Sequence, residues 1–114
     1  MMKSDLSSKH CESCEGIGAA LTPQQIANLM PQLADGWHSA DDHKEIKKSF
    51  SFNNFYETMA FVNALAWIAN GENHHPDLEV GYNYCHVRFS THALKGLSHN
   101  DFICAAKTDQ LLAI

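Results

Sequence analysis

Hydrophobic and polar residues alternate in several short stretches of this chain, which is the pattern of strands with one buried face. Residues 45–52 show it first, with apolar side chains on one side of the chain and polar ones on the other. The same alternation returns at 78–82 and at 85–89, with Asn83 between the two runs, so these stretches predict a tight hairpin. Residues 37–40 are a shorter candidate for the first strand.

A second period, close to 3.6 residues, predicts a long central helix from about Asn54 to Ala69. Its apolar arc covers about half of the circumference, which is wide enough to pack across a sheet. Gly71 is positioned to end this helix.

Two shorter helices flank this central part. Thr22-Pro23 supplies an N-cap followed by proline in the first turn, and Pro31 limits that helix. Ser98-x-x-Asp101 resembles a capping box and predicts a last helix that reaches about Leu112.

Together the elements predict an α+β fold. We expect a two-layer sandwich in which a four-stranded antiparallel sheet carries about three helices on one face. The other face of the sheet is expected to meet solvent because its predicted residues are polar or amphipathic: Lys47, Glu79, Tyr84, His86 and Arg88. Residues 1–20 are predicted to form a flexible N-terminal arm, and residues 21–114 a single domain.

Composition narrows the classes of function. The chain has 114 residues, 45% of them hydrophobic, and a formal net charge of −5. A negative balance argues against binding to nucleic acid or to an anionic membrane. No apolar run is long enough to span a membrane, and residues 1–9 lack the apolar core of a signal peptide, so the sequence predicts a cytoplasmic location.

Four cysteines are present, and two of them form the motif Cys11-x-x-Cys14. A zinc site would need two further ligands. A thioredoxin-type motif would follow a strand and open a helix, which this one does not. We therefore expect a reduced pair without a catalytic part, and we expect Cys85 and Cys104 to act as small apolar residues.

The residues best suited to catalysis are the histidines of His74-His75-Pro76 and His92. The first motif follows the central helix, and His92 follows the second hairpin strand. Imidazoles titrate near neutral pH, so three of them at one pocket suit proton transfer. A simpler alternative is that His74 and His75 cap the helix and bond to backbone carbonyls. Zinc binding is a third reading, but no carboxylate occurs at a metal-binding helical spacing, so no metal is predicted.

Several separated motifs carry a more specific signal. One set, which we call the motif frame, consists of Asn70, His74-His75-Pro76, Tyr82, His92 and Asp101. The other motifs are Ser90-Thr91-His92, Gly96-Leu97-Ser98, Gly36-Trp37 and the run from Phe50 to Phe55. At these spacings the chain, from about Thr22 to its end, resembles the pterin-4a-carbinolamine dehydratase family. The sequence departs from the family where Asn70 and Asn73 stand at positions that often carry acids.

The resemblance implies a hydro-lyase that removes water from a 4a-hydroxytetrahydropterin, in pterin recycling for an aromatic amino acid hydroxylase, without a cofactor. It implies a homodimer or a dimer of dimers. It assigns His74, His75 and His92 to the pocket as the catalytic residues. We expect His74 and His92 to act as acid–base groups from different sides of the ring, and His75 mainly to bind and orient the pterin. Further contacts would come from Trp37, Asn73, Ser90, Thr91 and Ala93, with support from Asn70, Tyr82 and Asp101. The alternative is a non-catalytic dimerisation or regulatory module of the same fold.

Overall fold

The computed structural model describes residues 6–13 and 18–112. Three helices and four strands alternate along this part of the chain, joined by short turns. In chain order they are α1 (Pro23–Leu29), β1 (His38–Ser39), β2 (Ile46–Ser51), α2 (Phe55–Glu72), β3 (Asp77–Val80), β4 (Tyr84–Phe89) and α3 (His99–Gln110). No helix in the described part is long and apolar enough to cross a membrane.

The four strands form one antiparallel sheet in the order β1-β2-β4-β3. β2 pairs with β4 from Ile46 opposite Phe89 to Ser51 opposite Tyr84. β3 and β4 form the predicted hairpin, whose last pair is Val80 opposite Cys85. The predicted α+β class, with an antiparallel sheet and three helices, is confirmed.

Successive side chains of each strand point to opposite faces of the sheet, and those on one face are buried in the core. β4 alternates between buried and half-buried residues, and the buried ones are Cys85, Val87 and Phe89. These pack with Phe61 and Leu65, which α2 turns toward the sheet, and with residues of α1 and α3. The opposite sheet face carries the polar residues that the sequence predicted, so burial is one-sided.

The end of α2 differs from the prediction and sets the position of the histidines. The helix continues past Gly71 and ends at Glu72, and Asn73 takes the left-handed conformation with φ of 52°. Asparagine tolerates this conformation, so a glycine is not required there. The His74 N–H then donates to the Ala69 carbonyl at 3.1 Å, which turns His74 back onto the helix end.

The N-terminal segment also differs from its prediction, because residues 6–13 are packed rather than extended into solvent. Leu6 is 2% exposed and belongs to the core, and Lys107 Nζ donates to the Ser7 carbonyl at 2.9 Å. Residues 1–5 and 14–17 lie outside the described part. The boundary of the domain near residue 20 stays a prediction.

Glu72, at the end of α2, is the main polar contact of this segment. Its Oε1 accepts the Cys11 N–H at 2.7 Å, and its Oε2 lies 2.8 Å from His10 Nδ1. Burial alone would raise the pKa of the Glu72 carboxyl, but these two contacts and the nearby Lys107 charge outweigh burial and hold the pKa below its usual value. The segment is thus bound to an ionised carboxylate.

Candidate active site

His74 lies at the junction between α2 and β3 and is almost fully buried, with 7% of its surface exposed. Its Nε2 is 2.6 Å from Asp101 Oδ1. Its ring stacks on Phe89, with centroids 6.3 Å apart and planes 8° from parallel. An ionic hydrogen bond and a flat apolar neighbour therefore fix the orientation of this imidazole.

Asp101 organises the surroundings of His74 from the first turn of α3. Its Oδ2 accepts the Thr91 hydroxyl at 2.8 Å and the Ser98 backbone N–H at 2.9 Å. The second of these bonds belongs to the capping box that the sequence predicted. One fully buried carboxylate thus caps a helix and holds a histidine.

The protonation pattern follows from the partners. An ionised carboxylate can only accept hydrogen bonds, so Asp101 places the proton of a neutral His74 on Nε2. His74 Nδ1 has no hydrogen-bond partner among residues 6–13 and 18–112. Since no buried side-chain nitrogen or oxygen in that part lacks a partner, Nδ1 reaches solvent. This nitrogen is the one that can exchange a proton with a ligand.

His92 lies in a 3-10 turn, His92–Leu94, directly after β4. A backbone bridge between Thr91 and Gly96 closes this turn, with the Thr91 N–H donating to the Gly96 carbonyl at 2.8 Å. The His92 ring is exposed and borders a pocket of about 300 Å³. The pocket is lined by Asp42, Lys44, Glu45, Ser90, Thr91, His92, Lys95 and Gly96.

Thr91 connects the two histidines. Its backbone precedes His92, and its side chain reaches Asp101, the partner of His74. The Thr91 hydroxyl is 1% exposed and also bonds to Ser98 Oγ at 2.7 Å. The Thr91 hydroxyl therefore lies inside the Asp101 network, and contact between Thr91 and a ligand stays a prediction.

His75 bonds to a different partner from that of His74. It is exposed, and its Nε2 lies 3.0 Å from Asn70 Oδ1. The neighbouring Asn73 is exposed as well. The helix-capping alternative does not describe this pair, because both imidazoles bond to side chains rather than to backbone carbonyls.

Trp37 lies in the core instead of forming a wall of the pocket. It is 6% exposed, and its indole N–H donates to Asp109 Oδ2 at 3.0 Å. Its ring lies 6.1 Å from Phe89, the ring on which His74 stacks. Trp37 is therefore linked to the histidine through Phe89, and its direct contact with a ligand stays a prediction.

Tyr82 is not brought to the histidines. It stacks on Phe55 at the first residue of α2, with centroids 6.4 Å apart, and it is 64% exposed. His74 lies beyond the other end of this 18-residue helix, which spans about 27 Å. Support of the site by Tyr82 therefore stays a prediction.

Lys95 and Gly96 line the pocket although they were not predicted to be site residues. The same is true of Asp42, Lys44 and Glu45. They lie in the turn between β1 and β2, where acidic residues signal only a turn. Their placement beside His92 depends on the pairing of Ile46 with Phe89, which is a contact between distant parts of the chain. In the described part, no group of three or more histidine, cysteine or acidic side chains is arranged to hold a metal ion.

Comparison with known proteins identifies the family of this chain. Residues 19–111 match the family model described as pterin 4 alpha carbinolamine dehydratase. A Legionella pneumophila (strain Lens) protein named "Putative pterin-4-alpha-carbinolamine dehydratase" is 76% identical over 97% of this chain and 98% of its own length. A Nitrosospira multiformis protein of the same name is 56% identical over 96% and 95%.

Solved structures give the same answer for the fold. The crystal structure of a transcriptional coactivator/pterin dehydratase from Brucella melitensis superposes with a TM-score of 0.76, at 29% identity, over 81% of this chain and 97% of that one. A pterin dehydratase-like protein identified as a RuBisCO assembly factor in the alpha-carboxysome has a TM-score of 0.59 at 25% identity, over 67% and 88%. The chain therefore belongs to the pterin 4 alpha carbinolamine dehydratase family.

Proposed function

We propose that this protein is a lyase that removes water from a 4a-hydroxytetrahydropterin and yields a quinonoid dihydropterin. In this reaction the C4a–O bond breaks, a proton joins the departing hydroxyl, and a ring nitrogen loses a proton. Two groups that exchange protons near neutral pH are sufficient. The observation that carries the proposal is the buried His74–Asp101 pair, whose open nitrogen, Nδ1, reaches solvent.

His74 is the group that takes the proton from the ring nitrogen. Its Nδ1 is the free acceptor, because Asp101 occupies Nε2. The Asp101 carboxylate stabilises the imidazolium that forms, as a carboxylate does behind a catalytic histidine in general. Since Asp101 is fully buried, water does not weaken this interaction.

His92 delivers the proton to the departing hydroxyl from the other side of the ring. Its side chain is exposed at the pocket, where it can be protonated by solvent between turnovers. Ser90 and the backbone around Thr91 and Ala93 bond to the polar edge of the pterin. His75 and Asn73, both exposed beside His74, orient the ring.

The finer biological role is proposed from the resemblance to the family. A quinonoid dihydropterin can be reduced again, and the enzyme would in this way serve an aromatic amino acid hydroxylase in pterin recycling. We place this activity in the cytoplasm and in a homodimer or a dimer of dimers. No cofactor takes part in the proposed steps.

A second candidate is the binding or dimerisation module, for which α2 offers an exposed aromatic face. Tyr56 and Trp67 on α2 are 87% and 81% exposed. They lie 11 residues apart, which is close to three helical turns, so they share one face of the helix. Aromatic side chains are enriched at protein interfaces. This face is compatible with both candidates, and turnover of the carbinolamine distinguishes them.

The experiment that tests the proposed orienting role uses His75→Ala. We expect the KM for the carbinolamine to rise about tenfold with little change in kcat, because one hydrogen bond contributes about 1 to 1.5 kcal/mol to binding. His86→Ala is the matched control, since that ring bonds to Ser49 on the uncovered sheet face. A fall in kcat without a change in KM would remove His75 from the orienting role.

A further inference from the structure

Cys11 and Cys104 place two thiols in contact although they are 93 residues apart in the sequence. Their Sγ atoms are 3.4 Å apart. Cys11 is half-buried on the N-terminal segment, and Cys104 is 1% exposed on α3. Both are free thiols in the structure. From the sequence, Cys11 was expected to form a reduced pair with Cys14, and Cys104 to be a small apolar residue of the core; their contact was not predicted.

The chain on either side of Cys11 is held in place. The Cys11 N–H donates to Glu72 Oε1, and the Glu12 N–H donates to Asn100 Oδ1 at 3.0 Å. Asn100 returns a hydrogen bond from Nδ2 to the Glu12 carbonyl at 2.8 Å, and His10 contacts Glu72 on the other side. Because these bonds already order the segment, joining the two sulfurs requires little further loss of chain entropy.

We propose that Cys11 and Cys104 form a redox-responsive pair, which closes to a disulfide in the presence of a small-molecule disulfide such as oxidised glutathione. The bond fastens residues 6–13 covalently to α3. Cys104 is one helical turn after Asp101, and Glu72 is two residues before His74. The disulfide thus joins the N-terminal segment to the part of the fold that carries the His74–Asp101 pair.

The reaction consists of two thiol–disulfide exchanges. The Cys11 thiolate attacks one sulfur of oxidised glutathione, the glutathione S–S bond breaks, and one glutathione thiolate leaves. Cys104 then loses its proton and attacks the Cys11 sulfur of the mixed disulfide, which expels the second glutathione thiolate. Two electrons pass from the protein thiols to glutathione, and both glutathione molecules end as thiols after taking up protons.

Accessibility and acidity fix the order of these steps. Cys11 is the thiol that an oxidant in solution can reach, because Cys104 is buried. The hydrogen bond with Cys11 and burial raise the pKa of the Cys104 thiol well above its ordinary range. Closure of the bond should therefore become faster as the pH rises.

The test treats the full chain with oxidised glutathione, blocks remaining thiols and maps disulfides by mass spectrometry of a non-reduced digest. We expect a peptide pair joined through Cys11 and Cys104. Closure should raise the Tm by at least about 5 °C, because the bond closes a long loop, and dithiothreitol should reverse the rise. The joined pair should persist in Cys14→Ser and disappear in Cys11→Ser, a variant that removes the half-buried thiol and leaves Cys104 in place.

Two results would overturn the proposal. One is a dominant bond between Cys11 and Cys14 in the native sequence. The other is a Cys14→Ser protein in which Cys11 carries glutathione but never joins Cys104, at any pH up to 9. Cys104→Ser, if it folds, should stop at the mixed disulfide on Cys11, which separates the two exchange steps.

Discussion

Asp101→Asn should lower kcat for carbinolamine dehydration by about a hundredfold to ten-thousandfold while the protein stays folded. The amide keeps one oxygen, which can still accept the bonds from Thr91 and Ser98. Its nitrogen then faces His74 as a donor. His74 must accept there through Nε2 and carry its proton on Nδ1, so the nitrogen that faces solvent can no longer take a proton.

NMR of the imidazole nitrogens gives this prediction a readout other than rate. The proton of neutral His74 should be found on Nε2 in the wild type and on Nδ1 in Asp101→Asn. Asp109→Asn is the matched control on the same helix, because Asp109 bonds to Trp37 and Lys48 rather than to His74. An Asp101→Asn enzyme with near-normal kcat, or with an unchanged His74 tautomer, would contradict the assigned role.

His74→Ala and His92→Ala should each lower kcat by about a hundredfold or more, because each removes a proton-transfer group. If the two histidines serve one coupled proton transfer, the double variant should lose less than the product of the single losses. Steady-state kinetics and stopped-flow dehydration on all three variants measure this coupling. Losses confined to KM would show that the histidines bind the pterin without transferring protons.

His38→Ala and His86→Ala serve as controls for these two variants. His38 lies on β1 and His86 on β4, and both border a pocket of about 310 Å³ on the uncovered sheet face. Neither should change kcat by more than a few-fold. Equal losses at the control histidines would remove the assignment of His74 and His92 and leave the reaction itself unaffected.

Much of the fold could be predicted because its signals are local. The strand alternation predicted which residues of the hairpin face the core, and Ser98-x-x-Asp101 predicted the start of α3. The end of α2 was misplaced because Gly71 is a common helix terminator, whereas the chain turns at Asn73. Either residue can adopt a left-handed conformation, and the sequence pattern alone does not choose between them.

The candidate site was predicted in part. His74, His92 and Asp101 follow from the motif frame, and Asp101 proved to be the buried partner of His74. Tyr82 and Trp37 were assigned by resemblance, and the structure places one beside Phe55 and the other in the core. Such placements depend on how distant elements pack, which a motif does not record.

The packing of the N-terminal segment also could not be predicted from a local motif. Its polar, glycine-containing composition indicated a flexible arm. Docking instead depends on Glu72 and Asn100, which lie more than sixty residues away in sequence and come together only once α2 and α3 pack. The contact between Cys11 and Cys104 arises from the same packing.

The most direct test of the account is the rate at which the wild-type protein dehydrates a freshly generated 4a-hydroxytetrahydropterin in stopped flow. We predict a rate well above that of buffer, a quinonoid dihydropterin as the product, and no loss of rate after treatment with a metal chelator, because the proposed steps use only imidazoles and a carboxylate. A wild-type rate no faster than buffer would contradict the account and favour the binding module.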